Sequence, residues 1–143
     1  MTRFQTILVL ILLALLIVGC TTDPYRAAIQ GSSDVSQAVS SAIKITASYY
    51  SAGTFNDAQK ATAAKYFTIV TDCNVSFRKT VVAVHNEGHT GVSAFLPIAD
   101  SFVSCVRNSA PVSADAKVAS VFKAIDSAIN GVSLAIASAK GGQ

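Results

Sequence analysis

The chain has 143 residues, 51% of them hydrophobic, and a formal net charge of +3. This length suits one domain with a single hydrophobic core and is too short for two ordinary domains. The Lys and Arg residues are scattered along the chain rather than clustered, which argues against a nucleic-acid-binding protein. The sequence also lacks a glycine-rich phosphate-binding motif, so nucleotide binding is not expected.

The N-terminal segment has the pattern of an export signal. Arg3 provides a short positive start, and an unbroken apolar run follows over residues 7–18. This run is shorter than the roughly 20 apolar residues that a helix needs to cross a bilayer. The pattern therefore predicts a cleaved signal peptide over residues 1–19, with an uncleaved anchor as the less favoured alternative.

The end of this segment, Ile17-Val18-Gly19-Cys20, resembles the lipobox of bacterial lipoproteins. The resemblance covers the leader only. It implies cleavage before Cys20, a thioether-linked diacylglycerol on its sulfur and an N-acyl chain such as palmitate. Two or more acyl chains hold a protein stably on a membrane, because each buried methylene contributes about 0.8 kcal/mol. An ordinary secretory signal with a chance cysteine is the alternative.

The resemblance also bears on location. In enterobacterial lipoproteins the residue after the lipidated cysteine biases sorting, and Asp there favours retention at the inner membrane. Here that residue is Thr21. The resemblance thus implies a lipid anchor in the outer membrane, with the protein facing the periplasm. The inner membrane and the cell surface stay open, because the rule differs between bacterial groups.

The mature chain is expected to begin with a tether and continue as a helical domain. Residues 20–33, the lipidated cysteine and a flexible tether, contain a proline, a glycine and small polar residues without sustained periodicity. Beyond them, apolar residues recur at steps of three and four in four segments. The sequence therefore predicts an all-α domain over 34–140, a four-helix antiparallel bundle.

Caps and breaks predict the boundaries of the first two helices. The first is expected to begin near Ser33 or Asp34 and to end at Gly53. Thr54 and Asp57 resemble a capping pair for the second helix. The predicted apolar face of the first helix comprises Val35, Ala38, Val39, Ala42, Ile45 and Tyr49.

Glycine and proline divide the second half of the domain. Two glycines bracket a predicted turn over 88–91. Pro97 is expected in the first turn of the third helix, where its missing N–H does little harm. Ser113 is the expected cap of the fourth helix.

Cys73 and Cys105 are the two other cysteines, and an even count in an oxidising compartment is typical of a disulfide. Their midpoint is residue 89, at the centre of the turn predicted from the glycines, so an antiparallel hairpin places both at the same height. Both also lie on predicted apolar stripes, facing each other rather than solvent. Such a bridge is expected to stabilise the fold by about 3–4 kcal/mol. Two buried thiols are the alternative.

The one cluster of polar functional groups comprises His85, Glu87 and His89. Two histidines four residues apart can share a helical face and bind a metal. However, Gly88 is expected to end the helix before His89, and the order differs from the His-Glu-x-x-His of metalloproteases. A surface turn is the preferred interpretation, with His85 and His89 as the candidates for a metal site. No cofactor is expected.

The sequence favours a binding function over catalysis. It has no Gly-x-Ser-x-Gly motif of the kind that holds a nucleophilic serine. Its carboxylates are spread singly along the chain, so no pair is available for general acid–base catalysis. We therefore expect a non-enzymatic, membrane-anchored lipoprotein that binds an unidentified protein partner in the envelope or supports an assembly there. The alternative is a periplasmic immunity or exclusion lipoprotein that blocks a toxin, a phage or a conjugative system.

Overall fold

The computed structural model describes residues 23–111 and 115–139, which form four α-helices and no strand. The helices are α1 (Pro24–Ser51), α2 (Asp57–Asn86), α3 (Val92–Ser109) and α4 (Ala116–Ser138). Successive helices run antiparallel, and α1 packs along both α2 and α4. The prediction of an all-α four-helix bundle is confirmed. The predicted signal peptide, Cys20, Thr21 and Ser113 lie outside the described residues.

The first helix begins well before its predicted start. Asp23 caps it, since the carboxylate accepts hydrogen bonds from the backbone N–H of Tyr25 at 2.8 Å and of Arg26 at 3.2 Å. Pro24 takes the first helical position, where a missing N–H does no harm. The predicted tether through residue 33 is therefore wrong from Pro24 onward, because its proline begins a helix instead of interrupting one.

The early turns of α1 belong to the core. Gly31 lies so close to α4 that an added Cβ would meet Cγ2 of Val132 at 3.1 Å. This glycine therefore allows close helix packing and does not mark a loop. The buried residues of this stretch, all small, are Pro24, Ala27, Ala28, Gly31 and Ser32.

A capping box starts α2, but with other residues than predicted. The Asn56 side chain accepts the backbone N–H of Gln59 at 2.9 Å, and the Gln59 side chain accepts that of Asn56 at 2.8 Å. The predicted pair of Thr54 and Asp57 is thus wrong. Together, the side chains of Asn56 and Gln59 accept hydrogen bonds from two backbone N–H groups that would otherwise be unpaired.

Asp115 caps α4. Its Oδ1 accepts the backbone N–H groups of Lys117 and Val118 at 2.9 and 3.2 Å. Its Oδ2 accepts a hydrogen bond of 2.6 Å from the Gln59 amide, which ties the start of α4 to the start of α2. This bond, together with the backbone donors, lowers the pKa of Asp115.

The connection between α2 and α3 follows the glycine pattern. Gly88 has a φ of +89°, a left-handed conformation that favours glycine, and α3 starts directly after Gly91. Pro97 lies in the second turn of α3 rather than the first. Because proline has no N–H, it cannot bond the carbonyl of Ser93 within the helix.

A disulfide joins α2 to α3, between Cys73 and Cys105, as their spacing predicts. The Cα atoms are 6.0 Å apart. One turn further along, the rings of Phe77 and Phe102 stack with centroids 5.0 Å apart. Cys73 is buried, whereas Cys105 is exposed. The expectation that both face away from solvent is therefore wrong for Cys105, which lies at the outer edge of the α2–α3 contact.

Two helical glycines provide a matched test of the α1–α4 packing. Gly131→Ala is expected to raise the free energy of unfolding by about 0.5–1 kcal/mol, because alanine is the better helix former and nothing lies within 4 Å of an added Cβ. Gly31→Ala is expected to lack this gain, since its Cβ would press on Val132. Urea unfolding measures both; equal gains would contradict the close approach.

Candidate functional site

Exposed apolar side chains gather on the last third of α1. Among the described residues, the large hydrophobic side chains that are exposed include Ile43 at 49%, Ile45 at 44%, and Tyr49 and Tyr50 at 38% each. Val75 of α2, exposed at 47%, lies across a groove from Ile43. We call these five residues the α1 patch. They lie on both sides of the helix, and large exposed apolar side chains that gather at one end of an element, rather than singly over the surface, are typical of an interaction site.

The rotation of α1 about its own axis determines which of its side chains are buried and which are exposed. Val39, Ala42 and Thr46 occupy the core face in this half of the helix. Ile45 and Tyr49 lie beside the core face, on the side of α1 that is next to α4. The prediction that these two residues belong to the buried stripe is therefore wrong, because the polar Thr46 holds the core position.

Shallow grooves run along both sides of α1. The groove between α1 and α4 has a volume of about 350 Å³ and includes Ile45, Tyr49 and Val121. The groove between α1 and α2 has a volume of about 260 Å³ and includes Ile43 and Val75. The α1 patch therefore offers apolar side chains from two grooves at once.

Mostly small side chains separate the two grooves. They form an exposed ridge on the outer side of α1 that is uncharged except for Lys44, and we call it the serine ridge. Small residues hold little side-chain entropy, so covering this ridge costs little, and they allow a partner's backbone to come close. The serine ridge consists of Ser40, Ser41, Lys44, Ala47 and Ser48.

Contacts from neighbouring residues hold both tyrosines of the patch. The ring of Tyr49 packs against Phe55 with centroids 5.3 Å apart. The Tyr50 hydroxyl donates a hydrogen bond of 2.8 Å to Asp57, and the ammonium group of Lys60 lies 3.8 Å from the Tyr50 ring centroid. The bond to Asp57 raises the pKa of Tyr50, because it favours the neutral phenol. Both tyrosines are thus restrained before any partner arrives.

A buried amide lies at the base of the α1–α2 groove. Asn74 is only 6% exposed, and its Nδ2 donates to the Ser32 carbonyl and to the Ser36 hydroxyl, both at 3.0 Å. These bonds fix the position of α1 along the axis of α2. Asn74 Oδ1 is buried without a hydrogen-bond partner. A buried acceptor without a partner lowers the free energy of unfolding, because it has lost its hydrogen bonds to water.

The two candidate metal ligands, His85 and His89, occupy different settings. His85 lies in the last turn of α2, where its ring stacks on Tyr25 with centroids 3.8 Å apart. His89 lies in the following loop and is exposed. Within residues 23–111 and 115–139, no group of three or more His, Cys, Asp and Glu side chains is arranged to hold a metal ion.

The sequence predicted only part of this picture. It predicted the pairing of Cys73 with Cys105, but it missed the Tyr25–His85 stack, because Tyr25 was assigned to the tether. The adjacent Tyr49 and Tyr50 indicate either a partner surface or the core and its rim, and the core and rim were the favoured interpretation, so the α1 patch was not predicted. No protein-family model, curated protein or solved structure matches the chain.

Alanine substitutions separate a packing role of the histidines from a metal-binding role. His85→Ala is expected to lower the free energy of unfolding by about 1 kcal/mol, because stacked rings contribute roughly 0.5–1.5 kcal/mol beyond their buried area. His89→Ala is the control and is expected to change it by less than about 0.5 kcal/mol. Urea unfolding with and without zinc measures both. A zinc-dependent stabilisation abolished by either variant would contradict the packing role.

Proposed function

We propose that the mature protein is a lipid-anchored lipoprotein of the bacterial envelope that binds another envelope component through the α1 patch, without catalysing a reaction. One observation carries this proposal. Exposed apolar side chains cluster at the end of α1 that is remote from Asp23, and therefore remote from Cys20. A membrane-anchored binding protein is expected to have its contact surface at such a place.

The spacing along the chain supports this arrangement. Cys20 precedes the cap Asp23 by three residues, which span at most about 10 Å. From Pro24, the helix rises about 1.5 Å per residue, so Ile43 lies roughly 30 Å along its axis. A lipid on Cys20 would thus hold one end of α1 at the bilayer and leave the α1 patch accessible to proteins.

The chemistry of the patch suits a protein partner. Binding energy at protein interfaces is concentrated in a few buried side chains, among which tyrosine is enriched. Tyr50 is already restrained by Asp57 and Lys60, so less side-chain entropy is lost when a partner covers it. The serine ridge, which lies between the two apolar sides of α1, would then provide polar contacts next to them.

The disulfide supports an exported location independently of the leader. Bridges persist in oxidising compartments such as the bacterial periplasm and are rare in the cytosol. The Cys73–Cys105 bridge joins α2 to α3. A protein that depends on it is expected to work outside the cytoplasm, as the lipobox implies.

Cys20→Ala tests the anchor. The wild-type protein, expressed with its leader in a Gram-negative host, is expected in the membrane fraction, with an intact mass that corresponds to residues 20–143 plus the diacylglycerol and the N-acyl chain. The Cys20→Ala protein is expected to lose this mass increment. An unmodified Cys20 in the wild-type protein would contradict the lipoprotein assignment.

Site-specific crosslinking in intact cells tests the contact surface. A photo-crosslinking residue at Ile45 or Tyr49 is expected to give a defined product, whereas the same residue at Ala64, exposed on α2, is the matched control. Equal products from all three positions, or none from Ile45 and Tyr49, would contradict a role for the α1 patch. A captured toxin, phage or conjugation protein would indicate the immunity or exclusion alternative.

A further inference from the structure

The end of the bundle nearest Cys20 has two chemically different sides. At this end, α3 has no ionisable residue over 92–99, and α4 has none over 127–138. The two stretches belong to neighbouring helices that pack against each other. We call them the α3–α4 face.

The other side of the same end is charged. The contacts of Asn74 with Ser32 and of His85 with Tyr25 show that the start of α1 lies beside the end of α2. These two helices bear exposed acidic and basic side chains here, while the α3–α4 face bears none. The exposed residues are Asp23, Arg26, Asp34, Arg78, Lys79 and Glu87.

The most exposed large apolar side chain of the described residues lies on the α3–α4 face. Leu134 is 68% exposed and lies four residues before Ser138, about 6 Å along α4. It points away from the core, because Val132 and Ile136 on either side of it are fully buried. Val92 and Leu96 of α3 are also partly exposed at this end.

The apolar character of α4 extends beyond its core stripe. It is the one described helix whose length and composition would allow a membrane span, with a mean hydropathy of 1.2 over its most apolar window. A span is not what the packing indicates, because Val118, Ile125 and Ile136 are buried against the other helices. From residue 127 onward, where α4 has no ionisable residue, its exposed side is instead suited to lie on a lipid surface.

The chain before Asp23 limits how far this face can be from the bilayer. Asp23 follows Cys20 by only three residues, and α1 starts directly after it. The contact of Gly31 with Val132 places the end of α4 beside the start of α1. With the lipid on Cys20, the α3–α4 face is held near the membrane at a high effective concentration.

We propose that the α3–α4 face docks on the phospholipid bilayer, with Leu134 inserted at the boundary between headgroups and acyl chains. The bundle then leans toward this side, and the charged side of α1 and α2 faces water. This inference rests on the proposed lipidation of Cys20. It goes beyond that proposal because it assigns a second, protein-mediated membrane contact and an orientation.

Depth-dependent quenching tests the docking. The full lipidated protein is reconstituted into phosphatidylcholine vesicles, some of whose lipids bear a nitroxide on the acyl chain. A fluorophore is attached to Leu134→Cys or, as matched controls, to Lys79→Cys on the charged side and Ser120→Cys at the far end of α4. Quenching at position 134 is expected to exceed that at both controls severalfold. Equal quenching at 134 and 79 would overturn the proposal.

A second variant tests the contribution of the leucine itself. A fluorophore on Ala137→Cys, exposed in the next turn, is compared with and without Leu134→Asp in the same vesicles. The quenching at 137 is expected to fall at least about twofold with the aspartate; an unchanged value would overturn the role of Leu134. The intact mass of each sample separates the two hypotheses. An unlipidated Cys20 contradicts the proposed function, whereas a lipidated protein without quenching at 134 contradicts only the docking.

Discussion

The hydrogen bonds that Asp23 accepts from the first turn of α1 determine the geometry on which the other features depend. Because the helix starts there, small residues of its first turns enter the core, and Gly31 lets α4 approach closely. The same start makes α1 long enough for its other end to display the α1 patch. It also leaves only three residues between the helix and Cys20, so the bundle begins close to the proposed anchor.

The number of helices and the disulfide could be predicted from the sequence. The helices have a local apolar pattern, and the two cysteines lie at equal distances from a predicted turn. Apolar steps of three and four residues identify helices without knowledge of their neighbours. The midpoint between Cys73 and Cys105 coincides with a glycine turn. Boundaries were harder to predict, since Pro24 and Gly31 are loop formers in isolation. Gly31 allows close packing instead of ending the helix because it contacts Val132, which lies more than a hundred positions later in the sequence.

The candidate surface could not be predicted for a similar reason. Hydropathy assigns Ile45 to the core and Thr46 to the surface, whereas the packing of α1 between α2 and α4 reverses them. The two neighbouring helices, not the local pattern, determine which residues of α1 are covered. The stack of Tyr25 on His85 likewise joins residues 60 positions apart in a way that no spacing rule indicates. Side-chain pairs of this kind become visible only once the helices are assembled.

The disulfide links α2 to α3, whereas most of the α1 patch belongs to α1, the helix that follows Cys20 in the sequence. Tension between a partner and the membrane would therefore pass along one continuous helix, whose backbone hydrogen bonds act in series. The covalent bridge would bear none of that load. Resistance to pulling would come instead from the lateral packing of α1 in its groove, at Gly31 against Val132 and at Ser32 against Asn74. The mechanical strength of the proposed anchorage would thus be separate from the covalent reinforcement of the core by the disulfide.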